Sequence, residues 1–198
     1  MEKEAIRQYF DTLAPDWDRM EIKSEPVIEE ILTNARIRGD LSLLDVACGT
    51  GILFPYYRNR GLTRITGLDL SREMLKVARS KFPQPEIALI AGDAECFAPG
   101  VLYDRIMLYN AFPHFLRPER VTQNLYSLLK PGGIFSVAHG MSRQQINLCH
   151  QGSASRVSID LLPAEALAGL FPREAELLAC VDSDLMYQVC VRKPAISG

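Results

Sequence analysis

The stretch Leu43-Leu44-Asp45-Val46-Ala47-Cys48-Gly49-Thr50-Gly51 decides the fold. An apolar run ends in an acid and passes at once into a glycine-rich turn. The run reads as a buried β-strand, about Leu41–Ala47, and a helix follows from about Ile52 to Arg60. In open α/β sheets, ligands bind in the crevice at the carboxyl ends of such strands. Glycines let backbone come close to a ligand, and the N–H groups of a helix N-terminus face it.

Moving outward, a βα rhythm extends in the C-terminal direction. Strands are expected at about Arg64–Asp69, Ile87–Ala91, Arg105–Tyr109 and Ile134–His139. Helices are expected at Arg72–Phe82, with Ser71 as its N-cap, and from about Pro118 to Leu129. A weak helix is expected within Asp93–Gly100. Lys130-Pro131-Gly132-Gly133 reads as a turn. Helical character near Gln144–His150, a helix at Pro163–Leu170 and two strands, Glu176–Val181 and Met186–Arg192, complete the chain. Residues 1–38 read as helical, with Ala14-Pro15-Asp16-Trp17-Asp18 as a break. Alternating strands and helices predict a mainly parallel sheet covered on both faces. No repeat or linker divides the 198 residues, so a single domain is expected. Its N-terminal helical part is 1–38, its ligand-binding core 39–140, and its remaining helices and strand hairpin 141–198.

Bulk properties narrow the function. Apolar residues make up 47% and charged residues 23%, with a net charge of −2. That balance gives no electrostatic footprint for nucleic acid or an anionic membrane. No apolar run approaches the roughly 18–20 residues of a transmembrane helix. The charged start, Met1-Glu2-Lys3-Glu4, has no apolar segment of a signal peptide behind it. Five cysteines without C-x-x-C spacing fit free thiols in a reducing cytoplasm, not a disulfide framework or a thiolate metal site.

Three acids, Asp45, Asp69 and Asp93, fall at the ends of the first three strands, one βα unit apart. Asp69 is placed to accept both hydroxyls of a ribose, and Asp93 to accept the exocyclic amine of adenine. Asp45 is placed to orient the glycine loop or to meet a cationic part of the ligand. A nicotinamide dinucleotide would want glycine at all three positions of G-x-G-x-x-G, and Phe54 fills the third. A P-loop is absent.

These segments resemble the class I S-adenosylmethionine-dependent methyltransferases. Leu43–Gly51 is similar to the family's glycine loop, and Gly67-Leu68-Asp69-Leu70-Ser71, followed by Met74, to its ribose segment. Ala91-Gly92-Asp93-Ala94-Glu95 resembles its adenine segment, and Leu128–Gly133 the turn before strand 5. Tyr9-Phe10-Asp11-Thr12-Leu13-Ala14, with Trp17-Asp18, resembles the N-terminal segment of the ubiquinone/menaquinone-biosynthesis branch, where it closes over the cofactor. The resemblance implies a Rossmann-like seven-stranded sheet with helices on both faces and the last strand antiparallel. It implies S-adenosyl-L-methionine as methyl donor and S-adenosyl-L-homocysteine as product. The cofactor residues it implies are Tyr9, Trp17, Asp45, Ala47, Gly49, Thr50, Gly51, Asp69, Leu70, Met74, Gly92, Asp93, Ala94, Tyr109 and Asn110.

The acceptor would meet the methyl group beyond strands 4 and 5, where all three histidines fall. His114 and His139 are the candidate proton acceptors, with His150 nearby. Phe112, Phe115 and Met141 are candidates for an apolar wall, and Arg143 and Arg156 for contacts with an anionic substrate. Asn110-Ala111-Phe112-Pro113 lacks the first proline of the N-P-P-[YF] motif of amino-methyltransferases. The expected partner is a small-molecule acceptor, without nucleic acid, membrane or bound metal, and the protein a monomer or homodimer. A non-catalytic S-adenosylmethionine-binding module and a nicotinamide-dependent oxidoreductase are the competing readings.

Overall fold

The computed structural model describes residues 2–20, 23–151 and 153–195. The N-terminal segment supplies α1 (Lys3–Leu13), a short 3-10 turn, α2 (Trp17–Met20) and α3 (Glu25–Asn34). Next come β1 (Ser42–Val46), α4 (Phe54–Asn59), β2 (Arg64–Asp69), α5 (Arg72–Lys81), β3 (Ile87–Ala91) and β4 (Tyr103–Tyr109). After a 3-10 turn at Phe112–His114 follow α6 (Pro118–Ser127), β5 (Leu129–His139), α7 (Arg143–His150), α8 (Ala164–Ala168), β6 (Glu176–Asp182) and β7 (Tyr187–Arg192). The strands form one seven-stranded sheet in the order β3-β2-β1-β4-β5-β7-β6. β1 through β5 pair in parallel, and β7 runs antiparallel to both β5 and β6. The expected architecture is therefore present, and its one reversed strand is the last.

Side-chain alternation explains the layers. Leu43, Ile65 and Met107 point to one face and pack against α3, α4 and α5. Leu44, Val46, Leu68, Ile106 and Leu108 point to the other and pack against α6, α7 and α8. Covering both faces buries the central strands almost completely.

The structure corrects three sequence expectations. No helix forms within residues 93–100, where three turn residues follow β3. β4 starts at Tyr103, two residues early, because Tyr103 pairs with Leu129. The turn at Lys130–Gly133 lies inside β5 as an irregularity, between the Tyr103–Leu129 and Arg105–Ile134 pairs. Pro and two glycines mark a break in pairing equally well when the strand resumes beyond it.

β1 ends in a cramped corner. Gly51 has φ +85°, and a Cβ there would come within 2.6 Å of the Phe54 ring and 3.0 Å of Phe82. Phe54, fully buried, is the residue that replaces the third glycine of a dinucleotide loop. Gly51→Ala is expected to cost about 2–4 kcal/mol, combining left-handed strain with overpacking. Gly132, at φ +75° with nothing in reach of a Cβ, isolates the strain. Urea unfolding of both alanine variants checks this, and equal losses would contradict a steric role for Phe54.

Candidate active site

The carboxyl ends of β1, β2, β3 and β4 surround a cavity roofed by α1 and Trp17. Two residues beside it hold left-handed backbone without being glycine: Ala47 after β1 (φ 53°) and Asn110 after β4 (φ 54°). Both line the cavity. Asn tolerates this conformation and Ala does so at a cost, a pattern that gathers at binding sites.

Asp69 organises the floor. Its Oδ2 accepts the Gly49 N–H at 2.8 Å and its Oδ1 the Ser71 N–H at 2.8 Å. One carboxylate thus ties the glycine loop to the start of α5. Burial pushes its pKa up to about 6, against the pull of those N–H donors. Ser71 caps α5 by accepting the Met74 N–H, and its hydroxyl donates to Asp11 of α1.

Beyond β3, the side chains form an ion-pair cluster. Lys3 Nζ lies 2.5 Å from Asp93 Oδ2 and 2.8 Å from Glu95 Oε2. Arg117 approaches the same Glu95 oxygen at 2.6 Å. Glu95 is buried, so two cations around it are what burial of a carboxylate requires. The Lys3 ammonium and the Glu95 N–H hold Asp93 below the usual carboxylate range, against partial burial.

At the opposite end lie Tyr109, Asn110, Ala111, His114 and Phe115. His114 Nδ1 is 2.9 Å from the Val157 carbonyl oxygen. A carbonyl only accepts, so Nδ1 carries the hydrogen and Nε2 keeps its lone pair. The ring packs edge-on against Phe10 at 4.8 Å and His150 at 5.1 Å. Burial lowers its pKa to about 4.

Most of the sequence candidates meet here. Trp17, Ala47, Gly49, Thr50, Asp69, Leu70, Met74, Gly92, Asp93, Ala94, Tyr109, Asn110 and His114 all line the cavity. Tyr9, Asp45, Gly51 and His139 do not. Phe10 takes the place expected of Tyr9, because Ile6 is the buried residue of α1 and its i+4 neighbour follows it inward. Asp45 lies beneath the loop beside Tyr57, where burial holds its carboxyl well above the usual range. It can brace the loop and does not line the cavity. Gly51 shapes the turn from behind. His139 is 2% exposed, packed on Tyr187 behind the cavity, with its pKa pushed down by burial to about 3. Phe112 belongs to the core, and Arg143 pairs with Asp182. Lys3, Ile6 and Glu95 are liners the sequence reading missed. The i, i+4 spacing of Ile6 and Phe10 was a usable signal. The Lys3 pairing, 90 residues distant in sequence, left none. No group of three or more His, Cys, Asp or Glu suited to a metal occurs among the described residues.

Known proteins share this arrangement. Residues 44–137 match the family described as "Methyltransferase domain". The malonyl-(acyl-carrier protein) O-methyltransferase of Priestia megaterium is 25% identical over 79% of this chain and 60% of its own length. The ubiquinone biosynthesis O-methyltransferase of Coxiella burnetii is 28% identical over 67% of this chain and 60% of its own. The chain thus spans about three-fifths of these curated relatives. Its fold matches the N-methyltransferase NodS of Bradyrhizobium japonicum, solved with S-adenosyl-L-homocysteine. The TM-score is 0.75 at 14% identity, over 96% of this chain and 98% of that one. The glycine loop and the acid at the end of β2 fall within the matched segment, so residues 44–137 resemble a methyltransferase domain, and the seven-stranded sheet has the fold of that solved methyltransferase.

Proposed function

We propose that this chain transfers a methyl group from S-adenosylmethionine to a small-molecule acceptor, working in the cytoplasm. One observation carries the reading: a buried carboxylate, Asp69, set at the end of β2 and tied to the glycine loop. That group suits the vicinal hydroxyls of a ribose. Asp93 suits the adenine amine, with Leu70, Met74, Gly92 and Ala94 as the walls around the ring. Ala47, Gly49 and Thr50 border the methionine end. Tyr109 and Asn110 mark where the methyl group meets the acceptor. Residues 1–38 act as a lid, 39–140 as the cofactor core and 141–198 as the acceptor side of a single domain.

The donor, when bound, supplies a methyl group already electrophilic at sulfur. The chain's own residues then contribute alignment and a proton acceptor. His114 is the residue for that second role. Its Nδ1–H is committed to Val157, so Nε2 is free to take a proton from the acceptor. His139 stands behind it, where a neutral ring packs without charge. Free thiols at all five cysteines agree with a reducing compartment. Among the described residues, no helix is long and apolar enough to cross a membrane.

Calorimetry with S-adenosylhomocysteine, S-adenosylmethionine and NAD tests the cofactor. Both sulfur ligands should bind and NAD should not; failure of both sulfur ligands overturns the reading. Asp69→Asn should weaken S-adenosylhomocysteine by at least about tenfold, through loss of charge-assisted hydrogen bonds of roughly 1.5–3 kcal/mol each.

The pH dependence has a definite sign. Ribose hydroxyls donate to the ionised carboxylate, so binding favours the deprotonated form of Asp69. With the free pKa near 6, affinity holds above pH 7 and falls by up to about tenfold per unit below 6. Asp69→Asn should remove that dependence, and a wild-type profile flat to pH 5 would contradict the assignment.

Nitrogen-15 spectra of the histidine rings check the proton acceptor without any substrate. His114 should remain the neutral, Nδ1-protonated tautomer down to about pH 5. A cationic ring at pH 6.5 would remove it from the role.

A further inference from the structure

The cavity's charges are gathered at one end. Asp93 and Glu95 are held by Lys3, and Asp69 by two backbone N–H groups. Two other acids of the N-terminal segment point elsewhere. Asp11 bonds Ser71 and Arg7, and Asp18 bonds Thr50 at 2.5 Å and Lys81 at 2.6 Å. Asp45 is sealed beneath the loop. Hence no carboxylate among the described residues lines the cavity at the β4 end. What lines it there is a set of aromatic rings: Phe10, Trp17, Tyr109 and Phe115, with neutral His114.

Two of these rings come from the roof and sit over the glycine loop. A Cβ placed on Gly49 would lie 3.8 Å from Trp17 Nε1. Phe10 packs edge-to-face on Trp17 at 5.6 Å and 73°, and on His114 at 4.8 Å and 81°. Phe10 is thus the middle of a continuous ring contact running from the β1 loop to the β4 side. A donor whose adenosine half lay along Asp69 and Asp93 would extend its sulfur toward this ring-lined end of the cavity. The sulfur of the donor carries a permanent positive charge, and that of the spent product carries none. Aromatic faces attract a cation by about 0.5–2 kcal/mol where it is desolvated. A protonated imidazole would repel it, and His114 is neutral.

We propose that Phe10 and Trp17, with Tyr109, form an aromatic collar that recognises the sulfonium charge, so that the protein holds unspent donor in preference to spent product. The proposal rests on the cofactor assignment made above. The collar contributes discrimination, not the bulk of the affinity, which the adenosine contacts supply. Its two principal rings belong to α1 and α2, so the segment that roofs the cavity is also the one that selects the charged ligand.

The test is calorimetry on the full chain with three probes. S-Adenosylmethionine carries the sulfonium, S-adenosylhomocysteine is neutral at sulfur, and sinefungin places an ammonium near the same position. Phe10→Leu and Trp17→Leu keep apolar bulk and remove the ring. Each should weaken S-adenosylmethionine and sinefungin by about threefold to thirtyfold. S-Adenosylhomocysteine should change by less than about twofold. Trp17→Phe, which keeps a ring, should retain the preference. Equal weakening of all three ligands would reduce these residues to lid packing and overturn the collar. Binding of none of the three to the wild-type protein would overturn the cofactor assignment itself, a different outcome from loss of discrimination alone.

Discussion

The carboxylate of Asp69 is the fastening on which the site depends. Its two oxygens hold the N–H groups of Gly49 and Ser71, residues from different turns. Through Gly49 it fixes the loop after β1. Through Ser71 it reaches the cap of α5 and, by way of the serine hydroxyl, Asp11 of α1. Floor, wall and roof of the cavity therefore share one anchor. The anchor is kept under tension, since burial resists the charge that makes it useful. Hydroxyl donors on this group, such as those of the proposed ribose, would stabilise its charged form against that burial.

The parts of this architecture legible in the sequence are those set by short-range rules. Leu43–Gly51 declared a strand, a turn and a helix because each depends on neighbours within a few residues. Asp69 and Asp93 could be placed because one βα unit brings each strand end to the same edge. The choice of Phe10 over Tyr9 was within reach of helical phase, had Ile6 been taken as the inward residue. The pairing of Lys3 with Asp93 was not, because nothing local distinguishes that lysine from the charged residues around it. The irregularity inside β5 was misread as a turn because Pro131, Gly132 and Gly133 carry the same local signal in both settings; only the partner strand shows that pairing resumes at Ile134. His139 was misplaced for a related reason. Strand ends alternate faces, and its position at the end of β5 sends it back against Tyr187, away from the cavity.

Burial divides the three histidines by role. All three have pKa values lowered by desolvation, and none has a carboxylate partner close enough to reverse it. The Val157 carbonyl at His114 and Asp160 near His150 pull the other way without reversing it. A neutral imidazole of low basicity is a poor resting base for a weakly acidic alcohol. It is adequate where the departing proton becomes acidic as the methyl group bonds to the nucleophile, so that transfer follows bond formation. The same neutrality keeps positive charge away from the ligand's sulfur. Both proposed roles, proton acceptance and tolerance of a sulfonium, would follow from one physical cause, the packing of a neutral His114 between Phe10 and His150.

The N-terminal segment draws these strands together. It contributes Lys3 to the acidic end, Asp11 and Asp18 to the loop and cap, and Phe10 and Trp17 to the apolar end. Its contacts differ in kind along its length, with ion pairs at Lys3, Asp11 and Asp18 and ring contacts at Phe10 and Trp17. Exposed ion pairs are individually weak, typically below about 1 kcal/mol, and lose strength with salt. The ring contacts do not share that sensitivity. Ion pairs and rings alternate along the segment, from Lys3 through Phe10 and Trp17 to Asp18, which pairs with Lys81, so charge and apolar packing hold the roof together along its length.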